Sequence, residues 1–171
     1  SVSSQLSPSV LYDIGLVAGL QWLARHFQEE YDFKILVDSD SDAEPGNLDL
    51  RLFLFQCARE LLMNVVHHAE TNHAHLSLIR SEDKKSIELS VEDDGRGFDL
   101  KRWQNSEDSK ERFGLFEIQE RMKVLNGDMK IRTAPGKGTR VIISVEDHSM
   151  LQHPVGSIDW FEPEKLPILP P

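Results

Sequence analysis

The segment from Asp49 to Ala69 constrains the rest of the chain most. Leu54, Cys57, Leu61 and Val65 recur there at helical spacing, so one stripe of a long helix must be buried against another layer. Glu60, Asn64 and His68 recur at i, i+4 and i+8 and draw a second, polar line along the same helix. Taken singly, each of the three reads as part of a solvated face. Taken together, with a glycine-rich turn downstream, they mark a candidate site. Asn is a weak helix former, so propensity does not explain Asn64.

The elements around this helix follow from local pattern. A helix is expected from Val10 to Glu30, with Leu11, Ile14, Leu16, Ala18, Leu20, Leu23 and Phe27 on its apolar face. Phe33 to Val37 reads as a strand, and the acidic stretch Asp38 to Asn47, with Pro45-Gly46, as a loop. His75–Arg80 and Ser86–Val91 read as two strands joined by a turn over Glu82 to Lys85. Ile87, Leu89 and Val91 alternate with Glu88, Ser90 and Glu92, as in an antiparallel sheet with one wet face. Leu100 to Arg112 is charged and lacks a period, so it reads mainly as a loop. Gly114 to Leu125 is a helix stopped by Asn126-Gly127. Asp128–Thr133 and Thr139–Val145 are strands joined by a Pro-Gly-Lys-Gly loop. Neither a Walker A sequence nor a strand–GxGxxG–helix unit is present. The order predicts an α+β sandwich of two layers, helices on one face of a mixed sheet. We divide the chain into a linker over 1–30, a domain over 31–147 and a Pro-rich tail over 148–171.

Composition narrows the function classes. A chain of 171 residues can bury one core, and its net charge of −10 argues against nonspecific nucleic-acid or anionic-membrane binding. A nucleotide remains compatible, because backbone N–H groups can hold phosphate inside an acidic protein, with Mg²⁺ to offset the charge. Cys57 is the only cysteine, which excludes an intrachain disulfide and a multi-thiolate zinc site. No run of about 18 apolar residues and no signal-peptide pattern occurs. A cytoplasmic setting fits. The start at Ser1-Val2-Ser3-Ser4 reads as a domain boundary, so a membrane-anchored parent stays open.

The candidate site residues have distinct chemistry. The Asn64 amide oxygen suits Mg²⁺, which wants hard oxygens. Glu60 can orient a water in that shell, and His68 can face phosphate. Asp93-Asp94-Gly95-Arg96-Gly97-Phe98 ends a strand. A tight turn is its plain reading, but two glycines around one residue after two acids ask for more. A carboxylate on a pocket floor accepts a hydrogen bond from the exocyclic amine of adenine, the role expected of Asp93. Gly97 lets a flat base approach the backbone. Gly114, at the expected start of a helix, brings backbone donors to phosphate, and the polar stretch before it acts as a lid. Pro135 to Thr139 is a hairpin loop at least as readily as a ligand loop.

Four segments in order resemble the Bergerat-fold ATPases shared by histidine kinases, the gyrase B subunit, Hsp90 and MutL. Cys57 to Ala69 resembles the N box, Asp93 to Phe98 the G1 box, Phe113 to Arg121 the G2 box, and Pro135 to Thr139 the closing glycine-rich element. Glu120-Arg121 and Leu125-Asn126-Gly127 are similar to the nitrate/nitrite-sensor and DegS-like class of sensor histidine kinases. Leu6-Ser7-Pro8 through Trp22-Leu23 resembles the end of that class's dimerisation helix and its linker.

The resemblance implies ATP and Mg²⁺ as cofactors. It implies Glu60 in phosphoryl transfer, Asn64 on the metal, and Asp93 on the adenine amine. Gly95 and Gly97 would shape the base pocket. His68, Gly114, Leu115, Lys137 and Thr139 would meet the nucleotide. The γ-phosphoryl group would pass to a histidine on a separate dimerisation domain of the same parent, then to a response regulator. Two features depart from the family. Arg112 stands where a G2 glycine is usual, and the first nine residues contain no histidine, while none of His26, His67, His68, His73 or His75 has the context of a phospho-acceptor. A Bergerat-type Ser/Thr kinase, or a degenerate module kept for regulation or protein interaction, are the alternatives.

Overall fold

The computed structural model describes residues 8–106 and 109–147. A short helix α1 (Ser9–Asp13) leads to α2 (Leu16–Tyr31), β1 (Lys34–Ser39) and α3 (Leu48–His68). The hairpin β2 (His73–Arg80) and β3 (Ser86–Asp93) follows. Then come α4 (Leu100–Asn105), α5 (Ser109–Val124) and a second hairpin, β4 (Asp128–Thr133) and β5 (Thr139–Glu146). The strands form one sheet in the order β1-β2-β3-β5-β4. β1 runs parallel to β2 and the other neighbours are antiparallel, so the sheet is mixed.

Period-two patterning assigns the two faces of this sheet. Leu76 and Leu78 on β2, Ile87 and Leu89 on β3 and Ile143 on β5 are fully buried on one face. Their neighbours Glu88, Glu92 and Arg140 lie on the other. Ser90 is the buried polar exception there, and its hydroxyl meets that of Ser77 at 2.6 Å. The helices cover the apolar face: α2 packs on β1 and α3, α3 on β2, β3 and α5, and α5 on β4. This is the expected α+β sandwich. Each fully buried Leu or Ile contributes about 1.5–3 kcal/mol, before the entropy of ordering the chain is set against it. Cys57 belongs to this core. Burial pushes its thiol up to about 12, so it behaves as a small hydrophobe.

Three expectations need correction. The single helix over Val10 to Glu30 is broken at Ile14-Gly15 into α1 and α2. Gly15 has φ +143°, and the Glu44 carboxylate sits where a Cβ would go, 2.5 Å away. That carboxylate accepts the Leu16 N–H at 2.5 Å and the Val17 N–H at 3.1 Å, capping α2 from a distant loop. Periodicity cannot register a cap supplied from elsewhere in the chain. The second correction concerns the boundary at residue 31. Leu16, Leu20, Leu23 and Phe27 of α2 are buried in the same cluster as α3 and the sheet, so α2 is part of the body rather than a linker.

The third correction lies between Leu100 and Gly114. This segment is largely helical: α4 spans Leu100–Asn105, capped by Asp99, which accepts the Arg102 N–H at 3.1 Å. α5 already begins at Ser109, so Gly114 lies inside a helix instead of at its start. The tail over 148–171, the first seven residues and the Arg112 side chain lie outside the described residues.

Candidate functional site

Two cross-strand pairs build the floor of a cavity. Val91 pairs with Val141, and Asp93 with Thr139, all on the helix-facing side of β3 and β5. α3 forms one wall, with Asn64 and His68 from its polar line and Leu61, Val65 and Ala69 from the stripe beside it. Leu115 of α5, the turn residues Arg96, Gly97 and Phe98, and Trp103 of α4 complete the lining. The cavity measures about 130 Å³. A single water needs roughly 10–15 Å³, so the space suits a ligand rather than a structural water. Its lining is apolar with few polar groups, as small-molecule sites are.

Asp93 is the polar centre of the floor. It is 8% exposed, and Oδ1 accepts the Gly95 N–H at 2.8 Å. Burial raises its carboxyl above the ordinary value. Asp94 and Glu92 add to the rise, while bonds from the Gly95 and Thr139 backbone oppose it. Thr139 sits opposite, its Oγ1 3.0 Å from Thr133 Oγ1.

The glycine-rich turn after β3 is locked on two sides. Ala69 O, at the end of α3, accepts the Arg96 N–H at 2.7 Å. From the β4–β5 hairpin, Gly138 N–H donates to Gly95 O at 3.0 Å and Gly136 N–H to Arg96 O at 2.6 Å. Thr133 Oγ1 accepts the Phe98 N–H at 3.1 Å and donates to Gly138 O at 3.0 Å. A Cβ on Gly95 would run into Ala69 O, and one on Gly97 into Ala134 O. Gly97 has φ +58° and lines the cavity, but the space its missing side chain leaves is filled by backbone rather than held open for a base. Gly95 does not line the cavity and serves the same packing.

The remaining predicted residues divide. Glu60 lies off the cavity, half-buried, where α5 crosses α3. A Cβ on Gly114 would meet Glu60 Oε1 and stand 3.4 Å from Asn64 Nδ2. Glu60, Asn64 and Gly114 are thus brought together, with Gly114 as the close-packing residue of a helix crossing. Burial lifts the Glu60 carboxyl above its ordinary value and Glu117 adds to this, while Arg59, Arg121 and His67 oppose it. Lys137 is exposed on the β4–β5 turn, its N–H on Ala134 O, and does not line the cavity. Among the described residues no three His, Cys, Asp or Glu side chains could hold a metal ion.

Sequence reasoning missed the apolar lining and Trp103. Val91 and Val141 carried a usable signal, standing two residues from Asp93 and Thr139 on the same faces. Trp103 carried none, because its segment has no period.

The family model described as histidine kinase-, DNA gyrase B- and HSP90-like ATPase matches residues 49–149. Sensor histidine kinase ComP of Bacillus subtilis is 37% identical over 142 residues, covering 83% of this chain and 18% of that protein. The signal transduction histidine-protein kinase/phosphatase DegS of Brevibacillus brevis is 32% identical over 139 residues, covering 79% of this chain and 33% of its own length. The chain therefore spans a third or less of these two relatives. A solved histidine kinase domain, from the Erythrobacter litoralis EL346 blue-light activated histidine kinase, superposes with a TM-score of 0.59. It is 22% identical, and the match covers 78% of this chain and 61% of that one. That likeness speaks to the fold.

Proposed function

The chain belongs to the histidine kinase-, DNA gyrase B- and HSP90-like ATPase family, and from that footing we propose that it is the ATP-binding catalytic domain of a sensor histidine kinase. The observation that carries the reading is convergence. Asn64 and His68 of α3, Asp93 of β3 and Thr139 of β5 are far apart in sequence and line one cavity.

Adenine enters with its exocyclic amine on Asp93 and its faces against Val91, Val141, Leu61 and Val65. Thr139 takes part from the opposite strand. The triphosphate runs toward Asn64 and His68. Asn64 offers one hard oxygen beside a half-buried carboxylate, a donor set too small for a dedicated cage. Asn64, with Glu60 near it, would hold Mg²⁺ that arrives with the nucleotide. The ion supplies charge neutralisation. Glu60, with its raised pKa, is placed to orient a water or the incoming nucleophile near Asn64. Positioning and charge stabilisation make up most of the work in such a transfer. The γ-phosphoryl group passes to a histidine on a dimerisation domain of the same longer protein, and from there to a response regulator. On this reading the domain works in the cytoplasm.

Two observations favour a second reading. Gly114 is seated within α5 against Glu60, and Lys137 lies away from the cavity. A domain that keeps this arrangement with nucleotide bound would be a regulatory module without turnover. Calorimetric titration of the folded chain with ATP, with and without Mg²⁺, separates the readings when paired with transfer of labelled γ-phosphate to the dimerisation domain in trans. Mg²⁺-dependent binding and acid-labile label on that domain are expected. Binding without transfer supports the regulatory module. No binding at millimolar ATP overturns both.

A further inference from the structure

The lining of the cavity carries a feature that the floor and the α3 wall do not explain. Trp103 lies on α4, a segment whose sequence shows neither period nor motif, yet its side chain lines the cavity and is only partly buried. Its ring stands 6.0 Å from that of Phe98, the planes tilted by 51°. Phe98 is itself fixed, because its N–H is held by Thr133 Oγ1 at 3.1 Å. Asp99 caps α4 immediately after it, accepting the Arg102 N–H at 3.1 Å. The indole is thus carried by a capped helix that leaves directly from an anchored turn, and it lines the cavity.

We infer that Trp103 packs its indole against the base of the bound nucleotide, making α4 the base-reading part of the region between the glycine-rich turn and α5. The inference rests on the nucleotide reading of the cavity given above. It adds a contact that acts on the base and not on the triphosphate. The other apolar lining residues are aliphatic, apart from Phe98, and Asp93 reads one edge of the ring. The indole that lines the cavity supplies what those groups lack: a large, flat, rigid surface for a heteroaromatic ring. Base–aromatic contacts of this kind are sequence-tolerant and strong enough to change affinity by about tenfold or more when the ring is removed.

The test compares the full chain with Trp103→Leu and Trp103→Phe. Leucine keeps an apolar group against Phe98 and removes the aromatic face, while phenylalanine restores a ring. Each protein is titrated with ATP, with adenosine and with inorganic tripolyphosphate, and each is melted to confirm that it is folded. Trp103→Leu should weaken ATP and adenosine by about tenfold and leave tripolyphosphate unchanged, and Trp103→Phe should recover most of the loss. In a background carrying Trp22→Phe and Trp160→Phe, adenosine should change the emission of Trp103. If the parent binds ATP and Trp103→Leu binds adenosine as tightly as the parent does, Trp103 is not a base contact. Equal weakening of ATP and tripolyphosphate would overturn the proposal in the same way. A parent that binds neither ATP nor adenosine removes the nucleotide reading, and this inference falls with it.

Discussion

A methyl group at Gly138 would collide with the carbonyl oxygen of Asp93, while one at Gly136, two residues earlier, would meet nothing within 4 Å. Both glycines have positive φ, +74° at 136 and +68° at 138. The pair therefore separates the cost of a left-handed backbone from the cost of losing contact with the site. Gly136→Ala should destabilise the protein by about 1 kcal/mol, the conformational cost alone. Gly138→Ala should cost about 2–4 kcal/mol, because the hairpin must also move off Asp93. Urea unfolding of the two variants measures the difference, and equal losses would contradict the packing described here. The role of these glycines was only half legible in the sequence. Their presence flagged the turn, but the atoms that forbid a side chain at Gly138 come from Asp93 and Asp94 at the end of β3. No local reading supplies those atoms.

At the scale of elements, what was legible was what local chemistry determines. α3, the two hairpins and the stop at Asn126-Gly127 follow from periodicity and turn residues. Asn47 caps α3 by accepting the N–H groups of Asp49 and Leu50, and Asn126 takes the left-handed position with φ +52°. The break between α1 and α2 was not legible, because Glu44 supplies the cap from across the fold. Nor was the start of α5, which begins a turn and more before Gly114. Glu44→Ala should remove the cap and cost about 1–2 kcal/mol. Hydrogen exchange should quicken first at the amides of Leu16 and Val17, while Glu44→Gln, which keeps an acceptor, should lose less. Unchanged exchange at those two amides in Glu44→Ala would show that α2 does not depend on this carboxylate.

Across the whole molecule, one end of the sheet and one helix end meet at the glycine-rich turn, and that meeting makes the cavity. Arg80 holds the opposite end of the sheet. Its guanidinium donates to Asp42 O and Glu44 O and pairs with Asp147 at 2.9 Å, tying the loop before α3 to the end of β5. The same loop carries Glu44, so α2, α3 and the sheet are fastened around one another before any ligand enters. The polar members of the site were legible because their order along the chain matched a known pattern. The apolar members were not, because valines and leucines at core spacing read as core whether they face a ligand or another side chain.

On the function proposed above, this cavity binds adenine through Asp93. The direct measurement is a calorimetric titration of ATP into the parent chain and into Asp93→Asn, with Mg²⁺ present. Asparagine keeps an oxygen for the Gly95 N–H but turns an amide N–H toward the adenine amine, setting a donor against a donor. The folded variant should lose about tenfold or more in ATP affinity. Equal binding by the two proteins would contradict it.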